Sequence, residues 1–454
     1  MIVHKFGGTS LADARCIRAA ALIVKNYPGP SVVVVSALAG VTNQLLDLAQ
    51  AALRHSRSQV AWRIDALRLR HEETAMGLLG VSSEADRVLG RLTEILDGLV
   101  GSTAVREPDG GDPARRLTDE VCAAGEDLSA ELMTAVLRSE GLDATAIDAR
   151  SVVRTDARFG GAIPRDEETA RLVRQVLQPR LAGGQVPVLQ GFVGATEDGV
   201  TTTLGRGGSD FTAAIIGAAL GADEVLIWTD VEGVKSAEPR HVPAARVLPE
   251  LGYEEAVELA YFGARVVHPA AAKHAAARQI SMRVRATADP SHPGTLIRHD
   301  IRRAIGVAAI ADKPQVTLIK VRSRPMFMAY GFLARVFEVL ARHRVPVDLV
   351  ATSHTSTAFT LDAAESLDEV IDELGRIAEV EVVRDLATIS VVGHGLLRQP
   401  GISARVFSAL GGTPVHLISQ ASDVCLSFLV DAGVVADVVR RLHDELVTRD
   451  GEAA

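Results

Sequence analysis

Residues 201–210, Thr-Thr-Thr-Leu-Gly-Arg-Gly-Gly-Ser-Asp, constrain this chain more than any other stretch, because they set a flexible turn directly before an apolar helix. Gly205, Gly207 and Gly208 let the backbone approach a ligand closely. Ser209 or Asp210 is placed to cap a helix over 211–220, and Gly221 to end it. Free N–H groups and the positive end of the helix dipole then face an anion, and Arg206 adds a fork of donors. Taken alone, such a turn is equally compatible with a tight connection. The amino terminus repeats the layout: Ile2-Val-His-Lys-Phe6 reads as a strand, Gly7-Gly8-Thr9-Ser10 as a turn and 12–23 as a helix. Lys5, at a strand end beside two glycines, can meet a phosphate as a point charge. Two such turns about two hundred residues apart favour a phosphate-handling site over two ordinary connections.

Continuous apolar strands at 2–6, 31–37, 186–193 and 223–228 alternate with helical stretches at 12–26, 42–55, 119–139, 166–180 and 209–220. That alternation predicts an α/β domain with a mainly parallel sheet covered on both faces. Residues 56–118 read instead as a helical insertion that ends in a surface loop at Glu107-Pro-Asp-Gly-Gly-Asp-Pro113. At 454 residues the chain exceeds one compact core. Its net charge of −9 argues against a general nucleic-acid surface. Cys16, Cys122 and Cys425 stand too far apart for a disulfide framework or a zinc cluster, and no apolar run reaches the roughly 20 residues of a membrane helix. With a strand and turn at the start in place of a signal peptide, a cytoplasmic protein is expected. No Gly-x-x-x-x-Gly-Lys-Ser/Thr occurs, which sets P-loop kinase chemistry aside.

Beyond 295–297 the pattern changes. Two units of similar layout follow, the first from Val316 through the turn at Gly331 to Ala358-Phe-Thr-Leu-Asp362, the second from Ala387 through Pro400-Gly401 to Leu426-Ser-Phe-Leu-Val430. Each reads as strand, helix, strand, strand, helix, an internal repeat.

Lys5-Phe-Gly-Gly-Thr-Ser10 and Thr202-Thr-Leu-Gly-Arg-Gly-Gly-Ser-Asp210 together resemble the signatures of the aspartokinase branch of the amino-acid kinase family, and both stand unaltered. The likeness continues through Val35-Ser-Ala-Leu-Ala-Gly-Val-Thr-Asn43, Gln190-Gly-Phe-Val-Gly194, Trp228-Thr-Asp-Val231 and Leu259-Ala-Tyr-Phe-Gly-Ala-Arg-Val-Val-His-Pro269. It implies a three-layer αβα kinase fold over 1–298, followed by two ACT-like α+β (βαββαβ) regulatory domains at 299–386 and 387–454. The implied activity is phosphoryl transfer from ATP, with Mg²⁺, to the side-chain carboxylate of L-aspartate. Alternatives are a kinase for another acidic amino acid and a catalytically weak amino-acid sensor, while a repeat that only dimerises the protein is the bland reading of 299–454. The run to Arg449-Asp-Gly-Glu-Ala-Ala454 leaves no room for the homoserine dehydrogenase fused to some relatives, so a monofunctional chain is expected. The expected partners are L-aspartate, ATP and an amino-acid effector, in a homodimer or larger homo-oligomer, with no nucleic acid and no membrane.

The resemblance also assigns roles. Lys5 and Asp210 would be catalytic, with Asp210 orienting Lys5 or a Mg²⁺ shell and no dedicated protein cage for the metal. Ser36, Thr42, Glu126, Phe192, Arg206 and Ser209 would form the aspartate pocket, Arg206 taking the α-carboxylate and Glu126 the α-ammonium. Lys5, Gly7, Gly8, Thr229, Asp230, Lys235, Arg240 and Arg265 would face ATP. Three positions depart from the family's pattern, two of them among these: Lys235 replaces an aromatic and Arg265 a lysine, while Glu238 nearby replaces an aspartate. Met326, Gly331, Phe332, Leu333, Asp348 and His354 resemble the effector pocket of lysine-inhibited members, where a glutamate commonly stands in place of His354. An aspartate side chain, with a reference pKa of about 3.9, is already ionised at pH 7, so positioning and charge neutralisation rather than a general base should drive transfer.

Overall fold

The structure is a computed structural model, and it describes residues 1–104, 113–262, 267–301, 305–322, 330–362, 367–420 and 422–448. It divides into two compact units, one of 1–234, 249–257 and 266–301, the other of 235–248, 258–265 and 302–454.

The first unit is built on strands β1 (Ile2–Phe6), β2 (Ser31–Val35), β3 (Ala144–Ile147), β4 (Val186–Gln190), β5 (Val193–Ala195), β6 (Thr201–Thr203), β7 (Glu224–Thr229), β8 (Glu250–Gly252), β9 (Ser281–Ala286) and β10 (Thr295–Arg298). Its helices are α1 (Ala14–Asn26), α2 (Val41–Leu53), α3 (Arg57–Leu79), α4 (Ser83–Ala104), α5 (Pro113–Ser139), α6 (Asp166–Ala182), α7 (Gly208–Leu220) and α9 (Pro269–Ala277), while α8 (Tyr253–Tyr261) passes from this unit into the second after 257. Eight strands form one sheet in the order β3-β4-β2-β1-β7-β9-β10-β8, parallel throughout except where β10 meets β9. β1 lies at its centre, every residue of β1 and β2 is buried, and the apolar runs read from the sequence are therefore two-sided core strands. On one face Phe6, Val33, Val35 and Trp228 pack with Ile17 of α1 and Leu128 and Met133 of α5. His4 shares that face and is fully buried; its Nδ1 accepts a 3.2 Å hydrogen bond from the Trp228 indole, and burial pulls its pKa down to about 3, so the ring is neutral. Strand alternation turns Lys5 to the opposite face.

The helical insertion is the hairpin α3–α4; residues 107–112 of the expected loop lie outside the described residues. The helix expected from 119 starts six residues earlier, at Pro113, where a proline suits the first helical position because no intrahelical N–H bond is lost there.

The second unit holds β11 (Gly306–Arg322), α10 (Phe332–Arg342), β12 (Val350–Thr352), β13 (Ser356–Asp362), α11 (Asp368–Gly375), β14 (Glu379–His394), α12 (Ile402–Leu410), β15 (Leu417–Ser419), β16 (Cys425–Asp431) and α13 (Val435–His443). Its six-stranded sheet runs β12-β13-β11-β14-β16-β15. The two repeats interleave rather than follow one another. β14 passes 386 and 387 without a break, and β11 pairs with it twice, 316–322 against 379–386 and 306–313 against 388–394. The carboxy-terminal repeat thus takes its remaining strand from 306–313, and α13 is followed by a further helical turn over 444–448 instead of a strand.

Candidate active site

β1 is the strand at which the sheet order reverses, with β2 to one side and β7 to the other. In open α/β sheets the crevice at such a point, beyond the carboxyl ends of the strands, is where ligands bind. The segments after β1, β2, β4 and β7 begin there, at Gly7, Ser36, Gly191 and Asp230.

Lys5 stands at that edge with its Nζ 2.7 Å from Oδ1 of Asp210, both side chains nearly buried. Asp210 does not cap α7, and neither does Ser209. The helix begins at Gly208, three residues before the start at 211 that such a cap implies, with Gly207 as its cap in the left-handed region (φ 66°) and no side-chain cap. The carboxylate is drawn to the ammonium instead, an interaction stronger than a neutral cap bond, while the backbone N–H of His268 donates to its Oδ2 at 3.3 Å. A β-carbon on Gly207 would lie 2.2 Å from the His268 ring, so only glycine permits this turn under that ring. Gly221 ends the helix in the left-handed conformation, as read from the sequence.

The amino-acid side of the crevice is assembled around α5. Glu126 is buried; its Oε1 accepts from the backbone N–H of Ala37 at 3.0 Å, and Oε2 has no partner among the described residues. Burial, opposed first by the Ala37 N–H bond and least by the charge of Lys5, raises its pKa to about 8. Ser36 begins the segment that carries Ala37, its own N–H bonded to Phe6 O at 3.1 Å, and Thr42 sits in the first turn of α2. Gly8 comes so close that a β-carbon there would meet Ala37 O at 3.0 Å. Phe192 adopts a left-handed backbone (φ 68°), unusual for an aromatic residue, held by Thr212 Oγ1 accepting from its N–H at 3.0 Å and by Leu204 N–H bonding to its carbonyl at 2.9 Å. Ser209 is buried beside Gly191, whereas Arg206 is exposed.

On the other side of Lys5, Gly7 N–H bonds Trp228 O at 3.0 Å, which ties the first glycine turn to the end of β7, where Thr229 and exposed Asp230 follow. Ser10 Oγ reaches Trp228 O at 3.1 Å and Thr287 Oγ1 at 2.6 Å. Lys235 and Arg240 fall in the second unit, where Arg240 Nε pairs with Glu238 at 2.9 Å; Arg265 lies outside the described residues.

Of the effector residues, Gly331 (φ 78°) caps α10, whose first residues are Phe332, buried, and Leu333, exposed. His354 is exposed in the turn between β12 and β13, and Met326 lies outside the described residues. Asp348 has a partner at each oxygen. Lys313 Nζ sits 2.7 Å from one of its oxygens and the Tyr261 hydroxyl donates to the other.

Two further residues shape the site without having been singled out from the sequence. His268 was legible only as part of the run 259–269; its ring accepts from Ala270 N–H and burial holds its pKa below the usual imidazole value, so it is neutral. Asp119, within α5, carries no motif that marks it.

Against known families, the amino acid kinase family matches residues 1–286 and an ACT domain matches 389–446. Over 98% of this chain and 99% of the relative, the chain is 37% identical to lysine-sensitive aspartokinase 3 of Escherichia coli. It is 34% identical to the chloroplastic aspartokinase 1 of Arabidopsis thaliana, over 97% of this chain and 79% of that one. Among solved structures, E. coli aspartokinase III in complex with aspartate and ADP superposes with a TM-score of 0.83 at 36% identity, covering 98% of this chain and 99% of the other. The same enzyme with lysine and aspartate gives 0.82 at 35% identity, again over 98% and 99%. The chain belongs to the aspartokinases of the amino acid kinase family.

Proposed function

We propose that this enzyme transfers the γ-phosphoryl group of ATP to the side-chain carboxylate of L-aspartate, giving 4-phospho-L-aspartate. The observation that carries this is the convergence of Lys5, paired with Asp210, and the half-unpartnered carboxylate of Glu126 at one sheet edge. The acceptor carboxylate attacks as an anion. Lys5 neutralises charge on the phosphoryl group as it moves, and the amide group of Gly8 and the start of α7 add donors, while the Gly7 N–H is kept by Trp228 O and holds the turn in place. Asp210, held beside Lys5, is the carboxylate that would face Mg²⁺ or its water shell. When bound, Mg²⁺ supplies further charge neutralisation on those oxygens. Hydroxylamine trapping of the acyl phosphate across aspartate, glutamate and their analogues tests the reading, and equal trapping with glutamate would move it to another acidic amino acid.

Glu126 then receives the α-ammonium, which requires it ionised. With its pKa near 8 the free enzyme holds it protonated at pH 7, so aspartate binding expels a proton. kcat/KM for aspartate should rise with pH and level off near 8, and Glu126→Gln should remove that limb as well as weaken aspartate use. The sign for stability is opposite. A carboxyl whose folded pKa is raised favours folding below its ordinary range and loses that contribution as pH rises through about 8, so melting temperature without substrate should fall over the same window and recover with aspartate. A pH-independent kcat/KM would place the ammonium elsewhere.

The ACT-like part, read as 299–386 and 387–454, binds an amino-acid effector in a cytoplasmic homodimer or larger homo-oligomer. Its response to lysine is weak. His354 offers no carboxylate to a lysine side chain near pH 7, and Asp348 already carries Lys313 and Tyr261. His354→Glu should increase lysine inhibition about tenfold, the worth of one charge-assisted contact. Inhibition of the unaltered enzyme by micromolar lysine in steady-state assays would refute the account.

A further inference from the structure

Helix α5 carries Asp119 and Glu126 seven residues apart, and so on one face. Their situations differ. Glu126 keeps an unpartnered oxygen, whereas Asp119, 1% exposed, has both oxygens engaged twice. Oδ1 accepts from the Thr203 hydroxyl at 2.6 Å and Oδ2 from the Thr203 N–H at 2.9 Å, and the Gly160 N–H reaches both at 3.0 Å. Burying a carboxylate with no cation beside it is costly and is tolerated when several donors surround it. Those donors belong to the segment at 203 that leads into the turn bearing Arg206 and to the one at 160, which lies against Gly205 of that turn, a β-carbon there falling 3.3 Å from Gly160 O.

β6 is fixed at every residue. Thr201 Oγ1 accepts from Arg150 Nε at 3.0 Å, and Arg150 is clamped by two 2.9 Å bonds to Asp127, also on α5. Thr202 shares a 2.7 Å hydroxyl bond with Thr155, and the Thr203 carbonyl accepts from Ala162 N–H at 2.8 Å. The chain therefore leaves Thr203 from a point set by Asp119 and reaches Arg206 three residues later. We propose that Asp119 is a positioning residue for the amino-acid substrate, holding the Arg206 turn at a fixed distance from Glu126 so that both ends of one acidic amino acid are gripped together. This rests on reading Arg206 and Glu126 as the two ends of that site.

Asp119→Asn keeps the shape but sets an amide NH₂ against backbone donors. The Asn enzyme should show a KM for aspartate raised about tenfold, roughly the loss of one charge-assisted bond, with KM for ATP within about twofold. Thr203→Val, which removes only the hydroxyl donor, should move KM for aspartate the same way by less, and it carries the test if the Asn variant does not fold. Because Asp119 acts through Arg206, adding Asp119→Asn to Arg206→Ala should change KM for aspartate less than about twofold further. Equal rises in both KM values, unchanged kinetics in both variants, or full additivity in the double variant would overturn the proposal. An unimpaired Asp119→Asn enzyme beside an impaired Arg206→Ala enzyme overturns the proposal alone. Unchanged aspartate use in Arg206→Ala overturns the site reading and takes the proposal with it.

Discussion

An enzyme with Lys5 replaced by alanine is expected to turn over more slowly by a factor on the order of 10²–10⁴, with KM for ATP changed only a few-fold. Lys5 sits on the central strand with paired neighbours on both sides, its side chain nearly buried and its ammonium held 2.7 Å from Asp210. A charge fixed in that way meets a negative charge that shifts during transfer, so its contribution is larger in the transition state than in the bound nucleotide. The same substitution leaves Asp210 nearly buried without its cation, and a fall in melting temperature should accompany the loss of rate. The two effects separate in the double variant Lys5→Ala/Asp210→Asn, which should regain stability while kcat stays low. Steady-state ADP release with varied ATP reads the first, thermal melting the second. A KM for ATP raised with kcat intact would show that Lys5 serves only to bind nucleotide.

What the sequence disclosed was what local chemistry dictates. The strand 2–6, the glycine turn behind it and the turn before α7 are each written in consecutive residues, and together they favour a phosphate-handling site from the sequence alone. What it concealed depends on distant partners. Glu126 looks like any helix carboxylate until Ala37, some ninety residues away, is seen to bond it and the sheet to bury it. Asp119 gives no local signal because its donors sit forty-one and eighty-four residues further on. The repeat after 298 was legible as a pattern of elements, but strand pairing is a long-range property, and periodicity cannot show that 306–313 completes the other repeat. Asp210 was misread as a cap because helix-start rules weigh a side chain against its own backbone, and here Lys5 outcompetes it.

For Arg206→Ala the loss should fall on the other substrate. Arg206 is exposed at the tip of a turn whose base is fixed on both sides, by Phe192 and Thr203 before it and by α7 after it, so the backbone that carries the guanidinium is held in place. Two parallel hydrogen bonds to an α-carboxylate are stronger than a single contact, but solvent at this turn screens part of that gain. An estimate of about 2 kcal/mol, or roughly thirtyfold, follows for KM of aspartate, with KM for ATP within about twofold. Lysine at this position should recover little, since a point charge cannot reproduce the fork. Lys5 and Arg206 thus predict opposite signatures, one in kcat and one in the aspartate KM. Comparing both variants under one set of conditions separates a phosphoryl-neutralising residue from an amino-acid anchor. Equal weakening of aspartate and ATP in Arg206→Ala would mean that this turn cradles phosphate instead, as its glycines alone would allow.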